Sequence, residues 1–313
     1  MAIEVIKATR VVRTMLGVLA RDVVLPNLVW RDAGGDFRGV EGDTITIRVP
    51  AYFNANKRAL RGSQTKAASS LIETKVDVTL DDNLFGRVPI TSEELTLDVD
   101  SFNRQITVPV SGGIVRGLED ELIDEMQGAT YQHEVEFDTD NPYSSIVSAR
   151  RKLNDSHVPF DGRALAIGTG LEEHLLNDPQ FVRADQSGST AALREAEIGR
   201  IAGFPVVVVP GLDPEEGYAF HRTAYVLNQR APFVSQGTPW GATESFEGFA
   251  VRVAQAVDPE TLVDHFHADV YVGTNHVRDF GQLDGGKFVP DDDPDIDNDT
   301  PLFVRAVKLS TGS

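Results

Sequence analysis

The amino-acid sequence predicts an α+β fold. Three observations carry that expectation. Helical periodicity marks the N-terminus and recurs between Ser101 and Gly128, strand alternation flanks a basic stretch, and an α/β middle gives way to a β-rich last third. Hydrophobic residues are 41% of 313, enough to build a substantial core.

The elements follow in chain order. From Ile3 to Asp22, Ile6, Val11, Met15, Leu16 and Leu19 fall three or four apart, which predicts a helix that Pro26 ends or bends. Thr44 to Pro50 sets Ile45, Ile47 and Val49 on one strand face, and Val76 to Leu80 does the same with Val76, Val78 and Leu80. These two runs make an antiparallel pair. Leu84–Ile90 and Leu95–Val99 are further short strands. A long helix starts at Ser101, which caps it, and carries Ile114, Leu118, Leu122 and Met126 at spacings of four. Pro109 and Gly112–Gly113 predict a kink or break in it, and Glu119, Asp120, Asp124 and Glu125 form an outward charged flank. Then come a helix at Tyr143–Asn154, a strand at Arg163–Gly168, helices at Leu171–Leu176 and Ala191–Ile198, and a strand at Pro205–Gly211. That last run is continuously apolar, as in a strand buried on both faces. Tyr218–Asn228, Phe249–Ala256 and His265–Val272 complete the strand pattern, and a polar tail begins after Gly285.

The connection between the first two strands is unusual. It holds Lys57, Arg58, Arg61, Lys66 and Lys75 against Glu73 alone, a net charge of +4 in a chain whose formal total is −19. At about 25 residues it is too long for a hairpin turn, and loops of that length are functional or disordered. An isolated two-stranded ribbon is marginal in water and needs a partner. For a basic arm on an acidic homo-oligomer, the nearest acidic partner is another copy of the same chain.

Charge and composition exclude several classes. The acidic balance repels nucleic acid and argues against general DNA binding. The chain has no cysteine, so disulfides, thiolate zinc sites and cysteine nucleophiles are excluded. No apolar stretch has the length of a membrane span, and the N-terminus lacks a signal-peptide core, which reads as a soluble, cytosolic chain. Gly168–Gly170 lacks the third glycine and the Lys-Ser/Thr of phosphate loops and reads as a strand-to-helix turn. His265, His267 and Asp269 share a strand face, which fits either metal ligands or a plain polar face. Asp293, Asp295 and Asp297 alternate as in a calcium loop but lack its central Gly and distal Glu; a solvated acidic loop is the simpler reading. No catalytic motif stands out, and neither enzyme activity nor a cofactor is expected.

Four phrases, in order, resemble the major capsid proteins of tailed bacteriophages, with their HK97-like fold. GDTITIRVPAYF resembles the first strand of that family's extended loop, and VPITSEELTLDVDSFNRQITVPV its exit into the spine helix. IGRIAGFPVVVVPGL resembles the helix-to-strand passage of the axial domain, and GFAVRVAQAVDPETLVDHFHADVYVG the peripheral-domain strands. The resemblance covers residues 1 to 283. It implies an N-terminal arm (1–42), an extended loop (43–95), a peripheral domain with the spine helix (96–140), an axial domain (141–225), peripheral strands (226–283) and a C-terminal extension (284–313). It further implies hexamers and pentamers forming an icosahedral shell in the virion, assembled in the bacterial cytoplasm around double-stranded DNA held without sequence-specific binding. A separate scaffolding protein, a portal and a decoration protein are the implied partners, and no membrane is. Lys57, Arg58, Arg61 and Lys66 are the implied intersubunit contacts, and Ile114, Leu118, Leu122 and Met126 the implied spine-helix core. Lys57 and Lys66 lie where some members place a crosslinking lysine, but no local motif establishes one and non-covalent contacts are expected. The alternatives are a cellular, encapsulin-like shell around protein cargo, and an α/β enzyme. The tail beyond residue 283 is expected to be a surface extension or an added intersubunit strand.

Overall fold

Val11, Val12, Met15, Leu16 and Leu19 are all buried and form one face of α1 (Ala8–Asp22). In the computed structural model the described residues are 8–31, 44–49, 74–90, 103–178, 199–238, 240–246, 249–257, 263–290 and 301–312. They fall into two units. One combines residues 1–45, 78–127 and 226–275, the other residues 46–77, 128–225 and 276–313.

The first unit is a five-stranded antiparallel-rich sheet with helices on one face. Its path runs β10 (Trp240–Phe246), β11 (Phe249–Val257), β12 (Asp264–His276), β3 (Asp82–Ile90), with β9 (Tyr225–Arg230) also pairing with β12. The register sets Val253 opposite Ala268, and Phe266 opposite Val88, so one face is continuously apolar. Helix α1 covers β10 and β11, with Arg13 reaching Glu244 at 3.5 Å. Helix α2 (Val108–Gly128) covers β3: a Cβ on Gly86 would lie 2.7 Å from Val110 Cγ1, so only glycine admits the helix this close.

The expected break in that helix is absent. A π-helical turn, Asn103–Thr107, precedes it, and Pro109 falls in the first turn, where a missing N–H costs nothing. The helix then runs unbroken through Gly112 and Gly113. Ser111 returns its hydroxyl to the Thr107 carbonyl at 2.7 Å.

The second unit holds a six-stranded mixed sheet in the order β4 (Glu134–Glu136), β15 (Ala306–Ser310), β8 (Glu216–His221), β5 (Arg163–Ile167), β7 (Phe204–Val208), β6 (Arg200–Ile201). Helices α3 (Pro142–Asp155) and α4 (Thr169–Asn177) bring Ile146, Ala149, Leu153, Leu171 and Leu175 into one core with Leu165, Ile167, Ala219, Val307 and Leu309. Asn141 caps α3 by accepting from the Ser144 N–H at 3.3 Å, with Pro142 opening the helix. Tyr218 and Phe220 alternate with Ala219 and point to the other face, where Tyr131, Tyr225 and Phe303 form an aromatic cluster with them. A hairpin, β13 (Gly281–Asp284) and β14 (Lys287–Pro290), belongs to the same unit.

Two expectations are corrected here. Strand β7 is half-buried instead of buried on both faces, because its outer neighbour β6 is only two residues long and leaves it near the sheet edge. The end of the tail is neither a surface extension nor an intersubunit strand. Ala306–Ser310 lies between β4 and β8 of its own chain, parallel to the first and antiparallel to the second. The strand Leu95–Val99, the Ser101 cap, the helix Ala191–Ile198 and the acidic run Asp291–Asp299 lie outside the described residues.

Candidate assembly surfaces

The basic connection is flanked by a two-stranded ribbon, β1 (Thr44–Val49) with β2 (Thr74–Thr79). Thr44 meets Thr79 across it at 3.0 Å, and Thr46 donates to Asp77 at 2.5 Å. Each step forward on one strand matches a step back on the other, so the pair is antiparallel. Ile47, Val76 and Val78 are buried, while Thr44, Thr46, Lys75 and Asp77 face water. The alternation read from the sequence thus has a buried side in this ribbon. Lys57, Arg58, Arg61 and Lys66 lie outside the described residues.

Helix α2 buries Ile114, Leu118, Leu122 and Met126 along one stripe. Its opposite flank is acidic. Glu119 accepts from the Val24 and Leu25 N–H groups at 3.0 and 3.4 Å, satisfying the open end of a 3-10 turn, Leu25–Leu28. Burial, then Asp82, Asp124 and Asp120 around it, push the Glu121 carboxyl above the ordinary carboxylate value.

The other face of the five-stranded sheet carries a polar and aromatic group. Arg252 holds Asp269 with both ends of its guanidinium, Nε to Oδ1 at 2.8 Å and Nη2 to Oδ2 at 2.5 Å. His267 Nε2 lies 3.3 Å from the same carboxylate, and the Phe85 ring lies tilted beside the His267 ring, their centroids 6.1 Å apart. The register explains the grouping: Asp269 pairs with Arg252 on one side and with Phe85 on the other. Asp269 is therefore only 1% exposed although it faces outward. Its binding by Arg252 gives the His-Asp face an ion-pair role, and among the described residues no group of three His, Asp or Glu side chains is placed to hold a metal ion. Arg252 and Phe85 were not legible as part of this cluster, because their sequence separations from Asp269 carry no periodic signal.

Gly168 to Gly170 forms the expected strand-to-helix turn into α4. A Cβ on Gly168 would meet the Asp213 carbonyl oxygen at 2.1 Å, and the Leu171 N–H donates to the Pro214 carbonyl at 3.0 Å. These glycines seat the turn on the chain's own backbone. Among the described residues no helix is long and apolar enough to cross a membrane.

Solved structures share this architecture over nearly the whole chain. One from Mycobacterium phage Che8 is 19% identical, covers 92% of this chain and 90% of its own, and superposes with a TM-score of 0.59. The capsid structure of cyanophage P-SCSP1u is 10% identical, covering 87% of this chain and 84% of that one, with a TM-score of 0.56. A virus-like particle from Pyrococcus furiosus is 11% identical, covering 96% and 98%, with a TM-score of 0.55. No family model and no curated protein matches the chain. The shared feature is the fold: this chain has the α+β, HK97-like architecture.

Proposed function

We propose that the chain is a major capsid protein, many copies of which assemble as hexamers and pentamers into an icosahedral shell around double-stranded DNA. The observation that carries this reading is the end-to-end fold match to phage structures, the capsid of cyanophage P-SCSP1u among them, which leaves no large part of either chain unmatched. In this reading residues 1–42 are the N-terminal arm, 43–95 the extended loop, 96–140 and 226–283 the peripheral domain, 141–225 the axial domain and 284–313 the C-terminal segment. The basic residues Lys57, Arg58, Arg61 and Lys66 reach an acidic surface of a neighbouring copy. The net charge of −19 suits a wall that does not bind packaged DNA tightly. A separate scaffold, a portal and a decoration protein are its partners, and assembly takes place in the bacterial cytoplasm.

A second reading rests on the Pyrococcus furiosus match, which covers 98% of that chain. It is a shell that holds protein cargo. Electron micrographs of the purified protein, with and without a co-expressed scaffold, test both together. Particles of megadalton mass are expected. Small soluble species under every assembly condition would refute the shell role, and nuclease-protected DNA inside particles formed during infection separates the first reading from the second.

A further inference from the structure

The connection from α3 to β5, residues 156–162, turns through left-handed backbone near both ends, with φ 56° at His157 and 76° at Gly162. Glycine takes that conformation freely, whereas His157 is strained by it. Arg163 holds the middle of the loop from beneath. Its Nη2 donates to the Val158 carbonyl at 2.6 Å, its Nε to the Pro159 carbonyl at 2.8 Å and its Nη1 to the Asn154 side chain at 2.8 Å. The same guanidinium lies 4.8 Å from the centre of the Phe160 ring, which is 71% exposed at the loop's tip.

Two buried imidazoles fasten the ends of the loop. His133, just before β4, places Nε2 2.8 Å from Ser156 Oγ. His221, at the end of β8, accepts the Thr223 N–H on Nδ1 at 3.3 Å, with the Thr223 hydroxyl 2.8 Å away. That hydroxyl oxygen already accepts from Arg305 Nη1 at 2.8 Å, so its proton turns to the ring. The His221 proton therefore sits on Nε2, beside Gly162, and is donated to the Asp161 carbonyl. Charge around both rings opposes a second proton. Arg163 of β5, Arg222 of the turn after β8 and Arg305 of β15 act on His221; Arg305 is itself bound by Asp279, and the Asp161 side chain is exposed. Lys152 of α3 acts on His133 and Asp155 partly offsets it, while Lys308 of β15 is bound to Glu216. Burial is the largest cause for each ring, and both titrate below the ordinary value of 6.5.

We propose that loop 156–162 is an acid-released element, fastened at its ends by the uncharged imidazoles of His133 and His221 and set free as they take up a second proton. A charged ring gains its hydration only when the loop lifts away. His221 also stands opposite Arg163 in the β8–β5 register, so its charge loosens the clamp that does not itself titrate in this range. The sign follows from the two states. The rings bind protons more weakly in the closed loop, so the closed form keeps its full advantage above pH 6.5 and loses it progressively as pH falls below that value. The inference concerns the fold of one subunit and stands apart from the shell reading.

Hydrogen–deuterium exchange of the full chain at pH 7.5 and pH 5.5, corrected for intrinsic exchange, tests this. Opening of the peptide spanning 156–162 should rise about tenfold, the gain from one imidazole that takes up its proton only on opening, or more if both do. Peptides of β5 and β8 should keep their protection. The double variant His133→Gln with His221→Gln retains hydrogen-bonding amides and removes the titration, so its loop should open equally at both pH values. A fluorinated phenylalanine at exposed position 160 gives a second reading on the otherwise unsubstituted chain, its signal shifting between the same two pH values; this reading decides the matter if the double variant does not fold. Equal loop opening at the two pH values in the parent overturns the inference, as does a fluorine signal that stays constant. Acid opening that extends through β5 and β8, or a folded double variant as pH-dependent as the parent, overturns it as well.

Discussion

Asp269 stands on the water-facing side of its sheet and is still 1% exposed. Burial alone would push its carboxyl up. Hydrogen bonds from His267 and Arg252 outweigh that and hold it below the ordinary value. Because the folded value lies below the unfolded value of 3.8, the stabilisation is fully present above 3.8 and is lost as pH falls through the folded value. Asp269→Asn should lower stability at neutral pH by about 2 kcal/mol, the scale of a hydrogen bond to a charged group. It should also flatten the loss of stability below about pH 4. Urea melts from pH 6 down to pH 3 read both effects, and an acid slope identical to the parent's would sink the assignment. Asn228 is the opposite case. It is fully buried in β9, and among the described residues neither its amide nitrogen nor its amide oxygen has a hydrogen-bond partner. Asn228→Leu keeps the heavy-atom count and branching and removes the unmet groups, so it should raise stability by about 1–2 kcal/mol. A lower denaturation midpoint would show that these atoms are satisfied in solution.

At the scale of elements, two placements decide the fold. Helix α2 approaches β3 through Gly86, where Val110 Cγ1 occupies the space of a side chain. Gly86→Ala should cost about 1–3 kcal/mol through overpacking. Adding Val110→Ala to the same chain should recover much of that loss. Thermal melts of the single and double variants compare them, and a double variant worse than the sum of the singles would refute the contact. The second placement is β15. Val307 and Leu309 belong to the core of the second unit, and the strand joins β4 to β8. A chain ending at residue 300 should lose cooperative unfolding of that unit and its near-ultraviolet circular dichroism, because the neighbouring strand edges and core are opened together. Native-like melting of the shortened chain would show that the sheet closes without it.

For the whole molecule, the proposed shell raises the question of how copies with a charge of −19 would associate. Attraction must come from local positive surface, and long-range repulsion falls with salt. In the proposed shell, Lys57, Arg58 and Arg61 supply it. Reversing all three to Glu should leave the subunit folded and suppress particle formation, and raising the salt concentration should not restore it fully. Sedimentation separates particles from free subunits, and a normal particle yield from the triple variant would refute the intersubunit role.

Much of the architecture was readable from local pattern. The alternation of Thr44–Val49 and Phe249–Val257, and the four-residue spacing from Ile114 to Met126, depend only on which side of a strand or helix each residue faces. That relation is set by backbone geometry and is carried by consecutive residues. The glycine turn at Gly168 was legible for the same reason. What the tertiary structure alone decided was adjacency. Nothing local places Ala306–Ser310 beside Glu134–Glu136, sets Arg252 across from Asp269, or matches Gly86 to Val110. Strand order and register are settled by contacts between residues far apart in the chain, whose burial energy outweighs the entropy of closing long loops. The polar tail that the sequence shows as an appendage becomes a strand inside the sheet because Val307 and Leu309 find a core there.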